Sequence, residues 1–342
     1  MVTSIKEEAF SPCIAYTGTQ PVEYAAVPLT MYGSGADHLE AYTSMSALLE
    51  HFYAEKNTLT RIRQKSSDLR RIVQTALERD IKKYDLQLTQ MEDTKKREKY
   101  RIYGELLNTY GYSAKPGDKS LTAVNYYTNE PVTIPLDPTL SATENAKKYF
   151  DKYGKLKRTY EALSELTCQV KEEIDHLETI STALDIALKE EDLVEIKEEL
   201  TQSGYIRRKG GSKKAKITSR PFHYLSSDGF HIYVGKNNFQ NDELTFKFAT
   251  GNDWWFHAKG IPGSHVVVKT EGKELPDRTF EEAGRLAAYY SKGREQEKVE
   301  IDYVQKKQVK KPAGAKPGFV VYYTNYSLMI DSDISGIEKI SD

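Results

Sequence analysis

The stretch 253–269, DWWFHAKGIPGSHVVVK, decides how the C-terminal part of the chain is read. An aromatic run, Trp254-Trp255-Phe256, leads into His257, Lys259 and the turn pair Pro262-Gly263. Ser264, His265 and Val266-Val267-Val268 follow. The pattern predicts strand, tight turn, strand, with alternate side chains on opposite faces. Ser264 and His265 are adjacent on the second strand and would face apart, and no nucleophile-elbow motif is present, so a triad built with Asp253 and His257 is a poor reading. The His pairs 257/265 and 223/231 are each eight apart with no thiolate beside them, a spacing that is not diagnostic of a metal. Binding fits better. One tryptophan would enter the core and the other would be left for stacking, with the sequence silent on which. Gly263 would let a backbone approach a phosphate, and His257, Lys259, Ser264 and His265 could donate to phosphate or ribose.

Working outward, two basic segments flank this stretch. Arg207, Arg208, Lys209, Lys213, Lys214, Lys216 and Arg220 occupy 206–220, without an acidic residue and with the flexible pair Gly210-Gly211. Lys306, Lys307, Lys310, Lys311 and Lys316 form a second basic loop with Pro312 and Gly314. Together they predict a polyanion partner with strong salt dependence, the alternative being ordinary solvated loops. The 49 Lys and Arg balance 50 Asp and Glu, for a net charge of −1, so a nucleic-acid face has to be local. A separate domain over 221–342 is expected, with a hairpin at 222–225 and 229–234 and a short helix capped by Asn241-Asp242 that carries Leu244, Phe246 and Phe248. A helix capped by Asp277 and strands at 299–304, 319–324 and 327–331 complete it.

Upstream, the period changes to that of helices. Leu69, Val73, Leu77, Ile81, Tyr84, Leu88 and Met91, then Ile102 and Leu106, mark a seam in a first helix over 41–110, which no proline interrupts. Lys95 and Glu98 break the seam. A cleaner alternation of four and three runs from Tyr149 through Leu156, Leu163, Val170 and Leu177 to Leu188 in a second helix over 141–205, begun by the capping-box pair Ser141 and Glu144 and ended by Gly204. Two such helices around a small β insert at 111–140 predict an antiparallel coiled-coil hairpin on the order of 90 Å long at 1.5 Å per residue. A parallel homodimer through one helix is the competing arrangement. Residues 1–40 hold β-prone runs around Gly18-Thr19-Gln20, too few strands to stand alone. The fold class is α+β.

Only Cys13 and Cys168 occur, in different segments, which suits a reduced, cytoplasmic protein. The N-terminal residues lack a signal-peptide core, and no apolar run is long enough to span a membrane. Charged residues reach 29%, and Tyr outnumbers Phe 24 to 11, a composition suited to solvated helices and wet interfaces.

Residues 220–331 resemble the RNA-binding domain of the NFACT family. The resemblance is carried by SRPF at 219–222, SDG at 227–229, GKNN at 235–238, NDWWFHA at 252–258, IPGSHVV at 261–267, AAYYS at 287–291 and VKKPAGAKPG at 309–318. The insert matches too, with PVTIPLDP at 131–138, then Glu144-Asn145-Ala146 and Lys148-Tyr149-Phe150. The resemblance implies a ribosome quality-control factor that is not an enzyme and uses no cofactor. Such proteins bind large ribosomal subunits obstructed by peptidyl-tRNA, reach toward the stalk base with the coiled-coil tip, bind tRNA and support C-terminal alanine tailing. It also implies that residues 1–40 are the terminal strands of a truncated N-terminal domain. The family's Asp-Arg pair for tRNA choice has no counterpart here, since Asp277-Arg278 stands in another context. A surface fibronectin-binding adhesin and a coiled-coil scaffold without RNA binding are the other readings.

Overall fold

Heptad spacing from Tyr149 onward yields helix α3, Ala142–Ile186, in a computed structural model that describes residues 10–17, 20–32, 37–208 and 218–341. The first arm is two helices, α1, Met45–Thr94, and α2, Arg97–Tyr110, rather than one. Ser44 Oγ accepts from the Ala47 amide at the start of α1, and the chain turns at Lys95 and Lys96. Two compact units result, Leu77–Ile174 and Met1–Ala76 with Asp175–Asp342.

In the unit Leu77–Ile174, the helices run antiparallel within one chain. Thr167 Oγ1 donates to Met91 Sδ at 3.5 Å, Arg97 lies 4.1 Å over the Tyr160 ring, and Tyr103 meets Tyr149 edge to face. The seam of α3 is the expected one. That of α1 is corrected at two positions: Ile81 and Leu88 are 43% and 42% exposed, while Asp80 and Gln87 are buried. The row Ser66, Val73, Asp80, Gln87, Thr94 repeats every seven residues and is buried throughout. Its polar members hid it from a search for apolar spacing. Polar residues at such positions set register at a cost in stability.

Within the expected insert at 111–140, strands β4, Ser120–Asn125, and β5, Glu130–Pro135, pair in an antiparallel hairpin. It packs Ile134 against Leu106, Leu107 and Ala146. Ser141 and Glu144 form the reciprocal capping box, with the Ser141 amide 2.8 Å from Glu144 Oε2 and the Glu144 amide 3.3 Å from Ser141 Oγ. Buried Asn145 holds the preceding turn through the Asp137 amide and the carbonyls of Asp137, Leu140 and Ser141.

In the other unit, strands β1, Cys13–Thr17, β2, Gln20–Ala25, and β3, Asp37–Ala41, form a sheet in the order β2-β1-β3. Ile14 and Tyr16 pack on Leu48 and Phe52 of α1, so these strands dock on the helix that follows them. The second arm is also corrected: α3 stops at Ile186, and α4, Glu190–Gln202, follows. Asp192 causes the break, because its carboxylate takes the amides of Leu188 and Lys189 at 3.1 and 3.0 Å. Gly204, at φ 82°, ends α4 in the left-handed conformation, with Tyr205 N–H bonded back to Leu200 O.

The remaining strands are β6, Phe222–Leu225, β7, His231–Val234, β8, Trp254–Ala258, β9, Val266–Val268, and β10, Val299–Gln305. After them come β11, Val309–Lys310, β12, Val321–Tyr322, β13, Tyr326–Ile330, and β14, Glu338–Ser341. Seven of them form one sheet in the order β13-β10-β8-β9-β7-β6-β14, antiparallel throughout. The expected strand over 319–324 shrinks to β12, which pairs with β11 outside that sheet. β14 had no sequence expectation. Helix α5, Asn238–Glu243, is capped by Asn237, whose Oδ1 accepts from the Gln240 amide, and not by Asn241-Asp242; a π-helical turn, Leu244–Phe248, continues it. Helix α6, Asp277–Tyr289, follows Pro276, and Asp277 sits in its first turn rather than at its cap. α6 covers one sheet face through Ala283, Leu286 and Ala287. The other face buries Trp255, Val267 and Val304 under Leu244 and Val309. Among the described residues no helix is long and apolar enough to cross a membrane.

Gln87 tests the polar row. Its Oε1 is buried without a hydrogen-bond partner, a situation that costs about 1–3 kcal/mol. Gln87→Leu is expected to raise the urea midpoint of the arm by the equivalent of about 1 kcal/mol, and Leu88→Gln to leave it within about 0.5 kcal/mol. The reverse ranking restores the apolar seam.

Candidate nucleic-acid interface

The aromatic run lies on β8, third from one edge of the seven-stranded sheet, and its side chains alternate between two covered faces. Trp254 and Phe256 face α6. Trp254 is half-buried, edge-on to Phe280 at 4.9 Å and tilted against Tyr303 and Tyr326. Trp255 faces the opposite side and is 0% exposed, packed on Tyr322, His257 and His265. Neither ring stands free for a base, which corrects the expectation of one exposed tryptophan. A strand covered on both faces has no outside.

The turn residues are equally committed. Ser264 and His265 lie in the loop before β9 and are both buried, rather than on a strand facing apart. His265 Nδ1 is 2.7 Å from Thr245 Oγ1 and 3.2 Å from Asn241 O, and its amide donates to Asn241 Oδ1. The Ser264 amide donates to Tyr290 O. Gly263 bridges Ser291, and a Cβ at Gly263 would meet the Ser291 Cβ at 3.0 Å, so its close approach serves the protein's own chain. Burial drives the His265 imidazole well below its usual range, with neighbouring His257 adding to the effect. Burial also brings His257 down to about 4, against the opposing pull of the Gly263 backbone and Asp302. Both rings are neutral at pH 7 and add no charge for a phosphate. Asp253 is a loop staple: burial works against its charge, but Lys269 and the amides of Thr250 and Thr270 outweigh it and hold the carboxyl below its usual range. Lys259 is exposed but ion-paired to Glu300 at 2.6 Å, and that bond raises its pKa. The His pairs do meet: His223 Nε2 is 2.9 Å from His231 Nδ1, and the rings of His257 and His265 are 5.5 Å apart. Among the described residues, no third ligand joins either pair.

The basic segments divide by partner. Arg208 pairs with Glu198, and Lys311 with Asp242. Arg207, Arg220, Lys307 and Lys310 are exposed, Lys306 and Lys316 are half-buried, and Lys209, Lys213, Lys214 and Lys216 lie outside the described residues. Rings absent from the sequence reading of the site stand among these cations. Lys306 lies 5.7 Å over Phe246, and Lys269 lies 5.0 Å over Phe248. Phe248, Phe319 and Tyr323 are exposed, the last at 67%. Tyr326, also exposed, ends a stacked series that runs from buried Phe256 through Tyr303. The signal that could have found them is Phe246-Lys247-Phe248 and the aromatic-rich run 319–323, FVVYY, which directly follows a loop already read as basic.

The GKNN stretch fastens α4 to the sheet domain. Asp192 accepts from Ser219 Oγ at 2.6 Å and from Lys236 Nζ at 3.3 Å. Glu195 accepts from Asn237 and Gln240, and Glu199 from Asn238, at 2.7–2.8 Å. Lys236 also lies 4.5 Å over the Phe222 ring. All three carboxylates are buried. Burial raises the Glu195 carboxyl and pushes Glu199 up to about 7, against the lowering effect of the amide donors.

Paired long helices and an antiparallel-sheet domain with lysines and aromatics at its rim place the chain among mixed helix-and-sheet proteins, and two family models match these parts. That described as NFACT N-terminal and middle domains matches residues 1–219, and that described as NFACT protein RNA binding domain matches residues 220–323. The chain belongs to the NFACT family. It is 39% identical over 332 residues to the Rqc2 homolog RqcH of Streptococcus pneumoniae, covering 96% of this chain and 58% of that protein. It is 36% identical over 348 residues to the Rqc2 homolog RqcH of Bacillus subtilis, covering 99% of this chain and 59% of that protein. The chain thus spans under two thirds of the length of these curated relatives. The solved C-terminal structure of the fibronectin/fibrinogen-binding protein from Streptococcus suis is similar at a TM-score of 0.64 and 37% identity, over 79% of this chain and 95% of that one.

Glu199 generates a pH prediction. An unfolded glutamate titrates near 4.3, so the folded state holds the extra proton between there and about 7. Stability contributed by that proton is present below the unfolded value and is lost as pH rises through the window. Relative to Glu199→Gln, which cannot ionise, the wild type is expected to lose on the order of 3 kcal/mol between pH 4 and pH 8. Urea midpoints of both proteins across that range check it. Equal pH slopes refute it.

Proposed function

We propose that this chain works in ribosome quality control as part of an NFACT protein, binding large ribosomal subunits obstructed by peptidyl-tRNA. In this reading the tip of the helical arm reaches toward the stalk base and the sheet domain holds tRNA. The protein supports C-terminal alanine tailing of the stalled chain, while the ribosome supplies peptidyl transfer. The chain is then a cytoplasmic binding factor with no catalytic residue or cofactor of its own. The observation that carries the reading is the joint match to both NFACT modules, with 36–39% identity to RqcH proteins over nearly the whole chain. The rim supports it, because Lys306, Lys307 and Lys310 offer charge to phosphates beside the stackable rings of Phe319 and Tyr323.

Fibronectin binding is a second reading, favoured by the name of the similar Streptococcus suis protein. A scaffold that uses only its helices is a third. Co-sedimentation separates them. The chain is expected to enrich on large subunits carrying peptidyl-tRNA over empty subunits at moderate salt. Equal recovery on both, or binding to immobilised fibronectin alone, overturns the proposal.

A finer test concerns which aromatics touch RNA. Tyr323→Ala and Phe319→Ala are each expected to weaken binding of single-stranded RNA by about 1–3 kcal/mol with folding unchanged. Trp255→Ala is expected to cost about 3–5 kcal/mol of folding stability. Anisotropy titrations beside thermal melts distinguish the two effects. Unaltered RNA affinity in both surface variants removes the stacking role.

A further inference from the structure

The stretch 147–158 of α3, KKYFDKYGKLKR, sets six Lys and Arg against one acid, Asp151. It lies wholly within the unit Leu77–Ile174. Tyr149 packs on Tyr100 and Tyr103 of α2 and marks the inward side. At about 3.6 residues per turn, Lys147, Asp151, Lys155 and Arg158 share one stripe, turned away from Tyr149. All six cations are exposed. Two of them are committed: Lys148 pairs with Asp137 at 3.0 Å, and Lys152 lies over the Tyr100 and Tyr149 rings at 5.3 and 5.7 Å. Among the described residues, Lys147, Lys155, Lys157 and Arg158 have no ion-pair partner. On the facing helix, Lys96, Arg97 and Arg101 are ion-paired, as is Lys95 before it, and Lys99 lies over Tyr103, so the spare charge belongs to α3.

Three unpaired cations on one straight stripe suit a polyanion with regularly spaced charges. From Lys147 to Arg158 the stripe spans roughly 16 Å at ~1.5 Å per residue. It offers no open ring for a base, since Tyr149 and Tyr153 are half-buried on other sides of the helix. Phosphate contact without base contact suits double-helical RNA, which is recognised by its shape and backbone. We propose that this face of α3 binds the backbone of an RNA stem, with Lys147, Lys155 and Arg158 on its phosphates. The proposal goes beyond the RNA contact at the rim. It gives the unit Leu77–Ile174, which lies outside the match to the RNA-binding domain, a surface of its own for a different form of RNA. The rings of the rim suit a single strand, and the bare cations of the arm suit a stem.

The test uses the full chain and three fluorescein-labelled probes, an RNA hairpin, a single-stranded RNA and polyglutamate, titrated by anisotropy across a salt series. The triple variant Lys147→Glu, Lys155→Glu and Arg158→Glu, checked against the wild-type melting curve, is expected to bind the hairpin at least ~10-fold more weakly and to lose about 3 from the slope of log K against log salt. Its affinity for the single strand is expected to be unchanged. Asp151→Asn, a milder change, is expected to tighten hairpin binding, a result that misfolding cannot mimic. Unchanged hairpin affinity and slope in the triple variant overturns the arm surface while leaving the rim intact. A wild type that binds polyglutamate as tightly as the hairpin also overturns it, in favour of an acidic protein partner. A wild type that binds neither RNA overturns the arm surface and the RNA-binding reading together.

Discussion

Three carboxylates buried on one face of α4 tie the helical arm to the sheet domain. Asp192, Glu195 and Glu199 are spaced three and four apart, so they share one side of the helix. That side meets Lys236, Asn237, Asn238 and Gln240. Lys236 is 2% exposed and Glu199 is 1% exposed, so both groups have left water. Such a junction is tolerable only when its members are hydrogen-bonded, and removing one partner typically costs about 3–5 kcal/mol. Its geometry sets what surrounds it. Asp192 ends the long helical run by capping α4, and the gap between α3 and α4 lines a cleft through Ile186, Ala187 and Leu188. Gly318 packs its backbone against Asn238, and Asp242 holds both Lys311 and the Gly318 amide. The basic loop is therefore moored to the same short helix that the carboxylates grip.

Apolar periodicity was readable wherever it coincided with contact. The seam of α3 carries Leu163, Val170, Ile174 and Leu177, all buried, and its spacing alone located it. The first arm was misread because Asp80 and Gln87 occupy contact positions while Ile81 and Leu88 stand one residue beyond. Local pattern contains no record of what a facing helix covers. The same limit hid β14, whose four residues, EKIS, hold one apolar side chain and gain strand geometry only by pairing with β6. The carboxylate junction was illegible for a related reason. Glu195 and Glu199 look like ordinary solvated acids until the chain returns more than thirty residues later to bury them.

The candidate site shows the difference between a distinctive stretch and an accessible one. Strand alternation in DWWFH was read correctly, and the two tryptophans do face apart. The sheet is covered on both sides, however, so Trp255, Phe256 and Ala258 are interior and Trp254 and His257 are left only half-buried. The residues left for a partner are less conspicuous: lysines at 306–310, whose charge is local in a chain of net −1, and rings such as Tyr323 that end in solvent. Membership of a family with an RNA-binding domain supports the proposal that these features meet RNA, and their exposure is what such a contact requires.

Hydrogen–deuterium exchange of the chain with and without tRNA tests most directly whether the rim, and not the aromatic motif, meets RNA. Slowed exchange across 306–323, with the already paired amides of β8 unchanged, is the expected result. Protection confined to 253–265, with 306–323 exchanging as in the free protein, would contradict it.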